Sequence, residues 1–346
     1  MHRLLWLLLL IPALPLAGML YQAAGARRDK KRLLQPASLV DIGEGHRMYL
    51  SQRGTGTPTV IFESGISATS LNWAHLQQAV SAFTRAVTYD RTGLGWSCAC
   101  TSDRTPSNIV RELRTLLRQA NIAPPYILVG HSFGGLAVRH FAAEHPDEVV
   151  GVVLVDPMRP GDWTSLDEPQ RNELAQGMRL TSIGIPSARL GLSRLVITSL
   201  LCGSGKISRI FARAAGADGQ RVLDRLTCEV GKMPREVWPI VAAHWSSPSF
   251  YRGMAAHLRS VPASVREMQS AKPIENIPVF LLTPATAEPL SSEALRNIGS
   301  SIQQVIAPNS GHWIHLDEPD LVLAAIRNII GQTRPRLTEG VEAVQH

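Results

Sequence analysis

Three side chains of the sequence have the types that nucleophilic catalysis requires. Ser132 stands in the pentapeptide 130–134 (GHSFG), which is the only G-x-S-x-G of the chain; His312 lies in NSGHWIHLDEP; and Asp156 ends the run VLVD. A serine hydroxyl attacks a carbonyl only when a nearby base accepts its proton and a carboxylate orients that base. We therefore predict acyl transfer through Ser132, with His312 as the base and Asp156 as the acid.

The residues around Ser132 indicate how it is presented. The apolar run 126–129 has the character of a buried strand, and a helical pattern begins a few residues after it. A bend this sharp leaves no room for side chains beside its apex, which explains Gly130 and Gly134. The hydroxyl would then lie at the N-terminal end of a helix, where free amides and the helix dipole stabilise negative charge.

Two members of this set have alternatives. His315 follows in the same loop as His312 and could be the base, whereas His131 is interpreted as a packing neighbour of the serine. The acid could be Glu288, which follows the apolar run 279–284 in TPATAEP.

The elements that must position these residues alternate between strand and helix patterns. Apolar runs without alternation predict a parallel sheet that is covered on both faces. Strands are predicted at 47–53, 59–64, 85–90, 126–132, 149–156, 279–284 and 303–308, and helices at 71–80, 107–120, 135–145 and 317–330. Residues 158–277 contain only helical patterns, which predicts a helical cap inserted into an α/β core of residues 39–157 and 278–331, with a tail at 332–346.

Four segments of the chain resemble the α/β-hydrolase superfamily, in the order that the family uses. They are ESGISATSLNWAHL, YDRTGLGWS, GHSFGG and SGHWIHLDEP. The resemblance implies a mostly parallel central sheet with a helical cap, and an oxyanion hole formed by the amides of Ile66 and Phe133. It also implies that Asp90 and Arg91 hold loops rather than react. Relatives usually carry His-Gly where this chain has Ser64-Gly65, but a backbone donor tolerates that change.

The resemblance also bears on the choice of the acid. We favour Asp156 over Glu288 because the family that the chain resembles also places this acid at the end of the preceding strand, and Asp156 directly follows that strand.

The resemblance leaves several activities open. We expect hydrolysis of carboxylic esters through an acyl-enzyme; the serine argues against dehalogenase and epoxide hydrolase chemistry, which uses an aspartate at this position. A proline-type aminopeptidase would need acidic cap residues for the free amine, with candidates at Asp162, Asp167, Glu168 and Glu229. A non-catalytic ligand-binding protein is the alternative of another class. Aromatic residues of the cap could line an apolar acyl pocket or form the core of the cap: Trp163, Trp238, Trp245, Phe250 and Tyr251.

Composition and charge exclude other classes. Hydrophobic residues make up 45% of the 346-residue chain, as in a globular protein with a large core. Residues 1–32 hold six of the 35 basic and one of the 28 acidic residues, which leaves the remainder of the chain at +2 and predicts no nucleic-acid partner. His140 and His145 are spaced too far apart around a helix to share a metal, and no cofactor motif is present. The four cysteines allow a Cys202–Cys228 disulfide or free thiols.

The N-terminal segment, residues 1–32, predicts association with a membrane. Residues 4–26 are uncharged and Leu-rich, and a basic cluster follows at 27–32. This pattern favours a single membrane anchor over a cleaved signal peptide, because a basic cluster is unusual directly after a cleavage site. The side of the membrane and the oligomeric state are not determined by the sequence.

Overall fold

Eight strands form one mostly parallel sheet within the residues that the computed structural model describes, which are 2–33, 38–163, 168–214, 216–288 and 290–342. The strands are β1 (Leu39–Asp41), β2 (Arg47–Arg53), β3 (Thr59–Glu63), β4 (Ala86–Tyr89), β5 (Tyr126–His131), β6 (Val149–Val155), β7 (Val279–Pro284) and β8 (Ile302–Ala307). Their order in the sheet is β1-β2-β4-β3-β5-β6-β7-β8. β1 and β2 pair antiparallel and β2 joins β4 antiparallel, whereas the pairs from β4 to β8 are parallel.

Helices cover both faces of this sheet. Those of the core are α2 (Ala74–Val80), α3 (Pro106–Gln119), α4 (Gly134–Glu144), α11 (Ser292–Ile298), α12 (Ile314–Asp317) and α13 (Pro319–Glu342). α3 and α4 pack on one face with Leu128 and Leu154, and α2 and α13 pack on the other with Val129 and Val153. Because both sides of each central strand are buried, these strands are mostly apolar, as the sequence predicts.

The chain between β6 and β7 is helical in its described part. It forms α5 (Glu168–Arg189), α6 (Leu192–Leu201), α7 (Lys206–Ala214), α8 (Gly216–Gly231), α9 (Trp238–Trp245) and α10 (Pro248–Gln269). α10 packs closely on the core: a Cβ atom at Gly253 would lie 2.1 Å from the carbonyl oxygen of Gly93. This close packing places the insertion over the carboxyl ends of the strands, and its boundaries as a separate cap remain a prediction.

Helix α1 (His2–Leu33) lies against the first cap helices. Arg194 of α6 donates hydrogen bonds to Gln22 (2.8 Å) and Asp29 (2.6 Å). The side chains of residues 2–12 lie outside the described part of the structure. The predicted anchor, residues 1–32, therefore lies only partly within the described part. Among the described residues, no helix combines the length and apolar character needed to cross a membrane, so the structure gives the anchor no support.

Two further predictions concern the cysteines and the tail. All four cysteines are free, so Cys202 and Cys228 form no disulfide in this structure. The predicted tail 332–346 continues α13 as far as Glu342, and residues 343–346 lie outside the described range.

Candidate active site

Ser132 occupies a tight bend between β5 and α4. Its φ angle is +53°, a left-handed value that costs energy for any residue other than glycine. The bend requires glycine at both flanks: a Cβ at Gly130 would lie 2.6 Å from Val138, and one at Gly134 would lie 2.5 Å from the Ser64 carbonyl oxygen. The serine itself is partly exposed at the carboxyl edge of the sheet. We call residues 130–134 the elbow.

Asp156 and His312 form a hydrogen-bonded pair beside this bend. Their side chains approach to 2.7 Å between His312 Nδ1 and Asp156 Oδ2. Asp156 directly follows β6, the parallel neighbour of β5, and the Ser132 amide donates to Val155 of that strand at 3.1 Å. The parallel pairing therefore brings residues 132 and 156 to the same edge of the sheet, although they lie in different loops.

His131 fixes the loop that carries His312. Its Nε2 lies 2.9 Å from the carbonyl oxygen of His312, and the two rings are 4.5 Å apart between centroids. In the described chain no hydrogen bond joins the Ser132 hydroxyl to His312. In active sites without bound substrate such a bond is often long, and it shortens when substrate binds. The contact of His131, the residue before the serine, nevertheless holds the imidazole next to the elbow.

The amides of Ile66 and Phe133 are the predicted oxyanion donors. Neither amide donates a hydrogen bond within the described residues. Both residues belong to loops that meet at the elbow. A Cβ at Gly65, the residue before Ile66, would lie 3.4 Å from Ser132 Cβ. Two free N–H groups beside a nucleophile are the arrangement that stabilises a tetrahedral oxyanion.

A buried charged network lies behind these amides. Arg91 donates a hydrogen bond to the carbonyl oxygen of Gly65, and its Nε lies 3.5 Å from Glu63. Tyr89 also donates to Glu63. Burial raises the pKa of Glu63 and lowers that of Arg91, and each group counteracts the shift of the other by its charge. The guanidinium carbon lies 5.5 Å from the centre of the Phe133 ring, so Arg91 contacts both loops that supply the amides.

The alternatives for base and acid are not part of the hydrogen-bonded pair of Asp156 and His312. His315 is buried against the rings of Trp73 (4.5 Å) and His131 (4.3 Å), and burial lowers its pKa to about 3. Glu288 is exposed, and its carbonyl oxygen accepts a hydrogen bond from Arg159 at 2.9 Å. Asp156 and His312 are therefore hydrogen-bonded to each other beside Ser132, whereas no hydrogen bond in the described residues joins His315 or the carboxylate of Glu288 to either of them.

Asp90 and Arg91 serve the loops around the site. The carboxylate of Asp90 accepts from the amides of Ser70 (2.9 Å) and Trp96 (3.0 Å), as expected for a residue that holds loops. The specific partners of Arg91 and His131 were not predicted from the sequence. Their positions in YDRTGLGWS and at the elbow were the available signal, but only the fold shows which carbonyl oxygens they reach.

Of the cap aromatics, Trp163 is the one that lies near the elbow. It packs in a cluster with Ile66 and Phe133, whereas Trp238, Trp245 and Phe250 belong to a cluster among the cap helices. Tyr251 is buried on α10. Trp238, Trp245 and Phe250 therefore form part of the core of the cap rather than the lining of an acyl pocket.

The acidic cap residues do not gather at the elbow. Asp162 and Glu168 are exposed, and Glu229 accepts a hydrogen bond from Asn72 at 3.1 Å. Asp167 lies outside the described residues. Within the same limits, no group of three His, Cys, Asp or Glu side chains is placed to hold a metal ion.

Known proteins are similar to this chain in sequence and in fold. The model of the alpha/beta hydrolase family matches residues 60–325. The chain belongs to the alpha/beta hydrolase family. It is 26% identical over 321 residues to an AB hydrolase superfamily protein of Gibberella zeae, with 85% of this chain and 94% of that protein covered. The match thus extends over the core and the cap.

Other relatives of the hydrolase differ in coverage. The identity is 23% to sn-1-specific diacylglycerol lipase ABHD11 of Mus musculus, with 79% of this chain and 81% of that protein covered. An uncharacterized protein of Bacillus subtilis is 34% identical over 106 residues, and the match spans 42% of its length. Among solved structures, the epoxide hydrolase CorEH superposes with a TM-score of 0.59 at 17% identity, covering 85% of this chain and 98% of that chain. That likeness shows the fold alone.

Proposed function

We propose that this alpha/beta hydrolase cleaves carboxylic esters through an acyl-enzyme on Ser132. The observation that carries the proposal is the 2.7 Å pair of His312 and Asp156 beside a serine in a strained bend. Asp156 would orient the imidazole and stabilise its protonated form, so that the other ring nitrogen can accept the serine proton.

Each step then has a residue to perform it. His312 accepts the proton of Ser132 as the serine oxygen attacks the ester carbonyl, and the resulting oxyanion accepts hydrogen bonds from the amides of Ile66 and Phe133. When the intermediate collapses, the C–O bond of the alcohol breaks and His312 protonates the leaving oxygen. Water then attacks the acyl-enzyme by the same route, which releases the acid and restores Ser132.

The chemistry of the elbow favours esters over the reactions of some structural relatives. A serine forms an acyl-enzyme from a carbonyl substrate, whereas the chemistry associated with dehalogenases and epoxide hydrolases uses an aspartate at this position. The sn-1-specific diacylglycerol lipase among the relatives is named for ester cleavage, which supports the same class of substrate. Trp163 beside Ile66 and Phe133 offers apolar contact to an acyl chain.

A fluorophosphonate probe together with a panel of p-nitrophenyl esters tests this proposal. We expect covalent labelling of the wild type and hydrolysis of the esters, and both should disappear in Ser132→Ala with a loss of turnover on the order of 10⁶. Ser310→Ala provides a matched control, because Ser310 lies in the histidine loop and not at the elbow. Substantial ester hydrolysis by a folded Ser132→Ala variant, or absence of labelling in the folded wild type, would contradict the mechanism.

A further inference from the structure

Large apolar side chains are exposed on one part of this molecule. Of the twelve such side chains that are exposed within the described residues, eleven lie on α1 and on the cap helices α5, α6 and α7. The exception is Ile306 of β8. Isolated exposed apolar residues are ordinary on protein surfaces, but a concentration on neighbouring elements marks an interaction site.

Helix α7 buries its small residues and exposes its large apolar residues, the reverse of an ordinary surface helix. Ser208 and Ala212 are buried, whereas Ile207, Ile210 and Phe211 are exposed, with Ile210 at 63%. These three residues are spaced i, i+3 and i+4, so they form one stripe on the helix. A surface helix whose only packing partner is its own protein would turn that apolar stripe, and not its small residues, toward the core.

The charge around this stripe is positive. α7 contains Lys206, Arg209 and Arg213 and has no acidic residue. Arg209 and Arg213 line a surface groove between α7 and α8. Among the described residues that line this groove, Asp224 of α8 is the one acidic residue. An amphipathic helix with Lys and Arg beside Ile and Phe has the composition of helices that lie in the plane of a membrane interface.

The apolar surface continues from α7 to α6 and α1. Leu192 and Leu195 are exposed on α6, which packs against α7. At the start of α6, Gly191 lies against Gly18 and Tyr21 of α1. The last turn of α1 is basic, and the single acid near it, Asp29, is already paired with Arg194. The same combination of apolar and basic side chains therefore recurs along the joined helices.

We propose that the cap docks onto an anionic lipid bilayer through α7. The stripe Ile207, Ile210 and Phe211 would enter the interface between headgroups and acyl chains, while Arg209 and Arg213 bind lipid phosphates. This inference goes beyond the proposed function, since it does not require that Ser132 be catalytic. It also differs from a membrane-spanning anchor, because α7 would lie parallel to the membrane surface.

Quenching by brominated phosphatidylcholine tests the position of α7 directly. Phe211→Trp adds one tryptophan on the stripe, and Ile306→Trp adds one at the exposed apolar position of the core. With the full chain on vesicles of brominated phosphatidylcholine and phosphatidylglycerol (3:1), we expect the added fluorescence of Phe211→Trp to be quenched at least twofold and that of Ile306→Trp to be unaffected. Vesicle-bound protein with no quenching at position 211, or equal quenching at both positions, would overturn the proposal.

Binding measurements separate the lipid from other partners. Ile210→Ser with Phe211→Ser, and separately Arg209→Gln with Arg213→Gln, should each weaken binding to the anionic vesicles severalfold, and Ile306→Ser should not. All five positions are on the surface, so melting temperatures should stay close to that of the wild type. If the serine pair instead abolishes a wild-type dimer seen without vesicles and leaves vesicle binding unchanged, the stripe is an interface between two copies and the lipid proposal is wrong.

Discussion

Arg91 acts, in the structure, on the peptide unit that carries a proposed oxyanion donor. The carbonyl oxygen of Gly65 and the amide of Ile66 belong to one peptide group, and they point in opposite directions because that group is planar. The hydrogen bond from Arg91 to Gly65 therefore fixes the direction of the Ile66 N–H. A charged donor on the oxygen also polarises the amide, which strengthens it as a hydrogen-bond donor.

Replacing Arg91 should lower turnover more than it lowers substrate binding. We expect Arg91→Met to reduce kcat by about tenfold to a hundredfold, somewhat less than the loss of an oxyanion donor itself. Arg104→Met is the matched control, because Arg104 is also buried and paired, with Glu112 at 2.7 Å, but does not contact the oxyanion loop. The rate ratio of ester to thionoester hydrolysis should fall only in Arg91→Met, and an equal change in both variants would indicate a structural role alone.

The acid of the proposed triad can be assigned by a pair of isosteric changes. Asp156→Asn keeps the shape of the side chain but cannot stabilise a protonated His312, so turnover should fall by about 10⁴. Glu288→Gln should leave turnover unchanged, because Glu288 is exposed and its carboxylate makes no contact with His312 in the described structure. Steady-state kinetics on one p-nitrophenyl ester compare the two, and a larger loss in Glu288→Gln would reverse the assignment.

At the scale of elements, the elbow depends on how closely β3 and α4 approach. A Cβ at Gly134 would lie 2.5 Å from the Ser64 carbonyl oxygen and 2.6 Å from that of Glu63, and backbone atoms cannot move aside cheaply. Gly134→Ala should therefore destabilise the protein by about 1–3 kcal/mol. Gly231→Ala is the control, since no atom lies near its added methyl group, and urea unfolding measures both. Equal stability of the two variants would show that the elbow relaxes freely.

The strands that carry the site could be predicted from the sequence to within two residues. All seven predicted strands are present, because continuous apolar runs between turns determine buried parallel strands. β1 was not predicted: it has three residues and depends on pairing with β2 rather than on its own pattern. α11 was also missed, since it is short and mostly exposed.

The site could be predicted less completely than the strands. Residue type and the order of elements predict Ser132 and His312, and the family resemblance predicts Asp156; the structure shows the bond between His312 and Asp156. The bonds of Arg91 to Gly65 and of His131 to His312 join residues that are far apart in the chain, and local patterns contain no information on such contacts. Likewise, the apolar stripe of α7 is visible as a pattern, but only the fold shows that it faces outward.

At the scale of the whole molecule, buried neutral histidines couple folding to pH. His131, His244, His257 and His315 are at least 96% buried, and burial lowers the pKa of each. His131 belongs to the elbow, His315 packs against it, and His244 and His257 lie in the cap, so the effect spans both parts. Because each pKa is lower in the folded protein, these side chains take up protons at a higher pH in the unfolded chain than in the folded one. The free energy of unfolding should therefore fall on acidification.

His315 offers the sharpest test of this coupling, because its folded pKa of about 3 places the full effect between pH 6.5 and pH 3. In that window a single such histidine lowers the free energy of unfolding by about 1.4 kcal/mol per pH unit. His315→Phe keeps the ring against Trp73 and removes the proton site, so its unfolding free energy should depend less steeply on pH by about that amount. His75→Phe, at an exposed position, is the control. Urea unfolding between pH 7 and pH 5 measures the slopes, and a slope in His315→Phe equal to that of the wild type would mean that His315 is protonated in the folded protein.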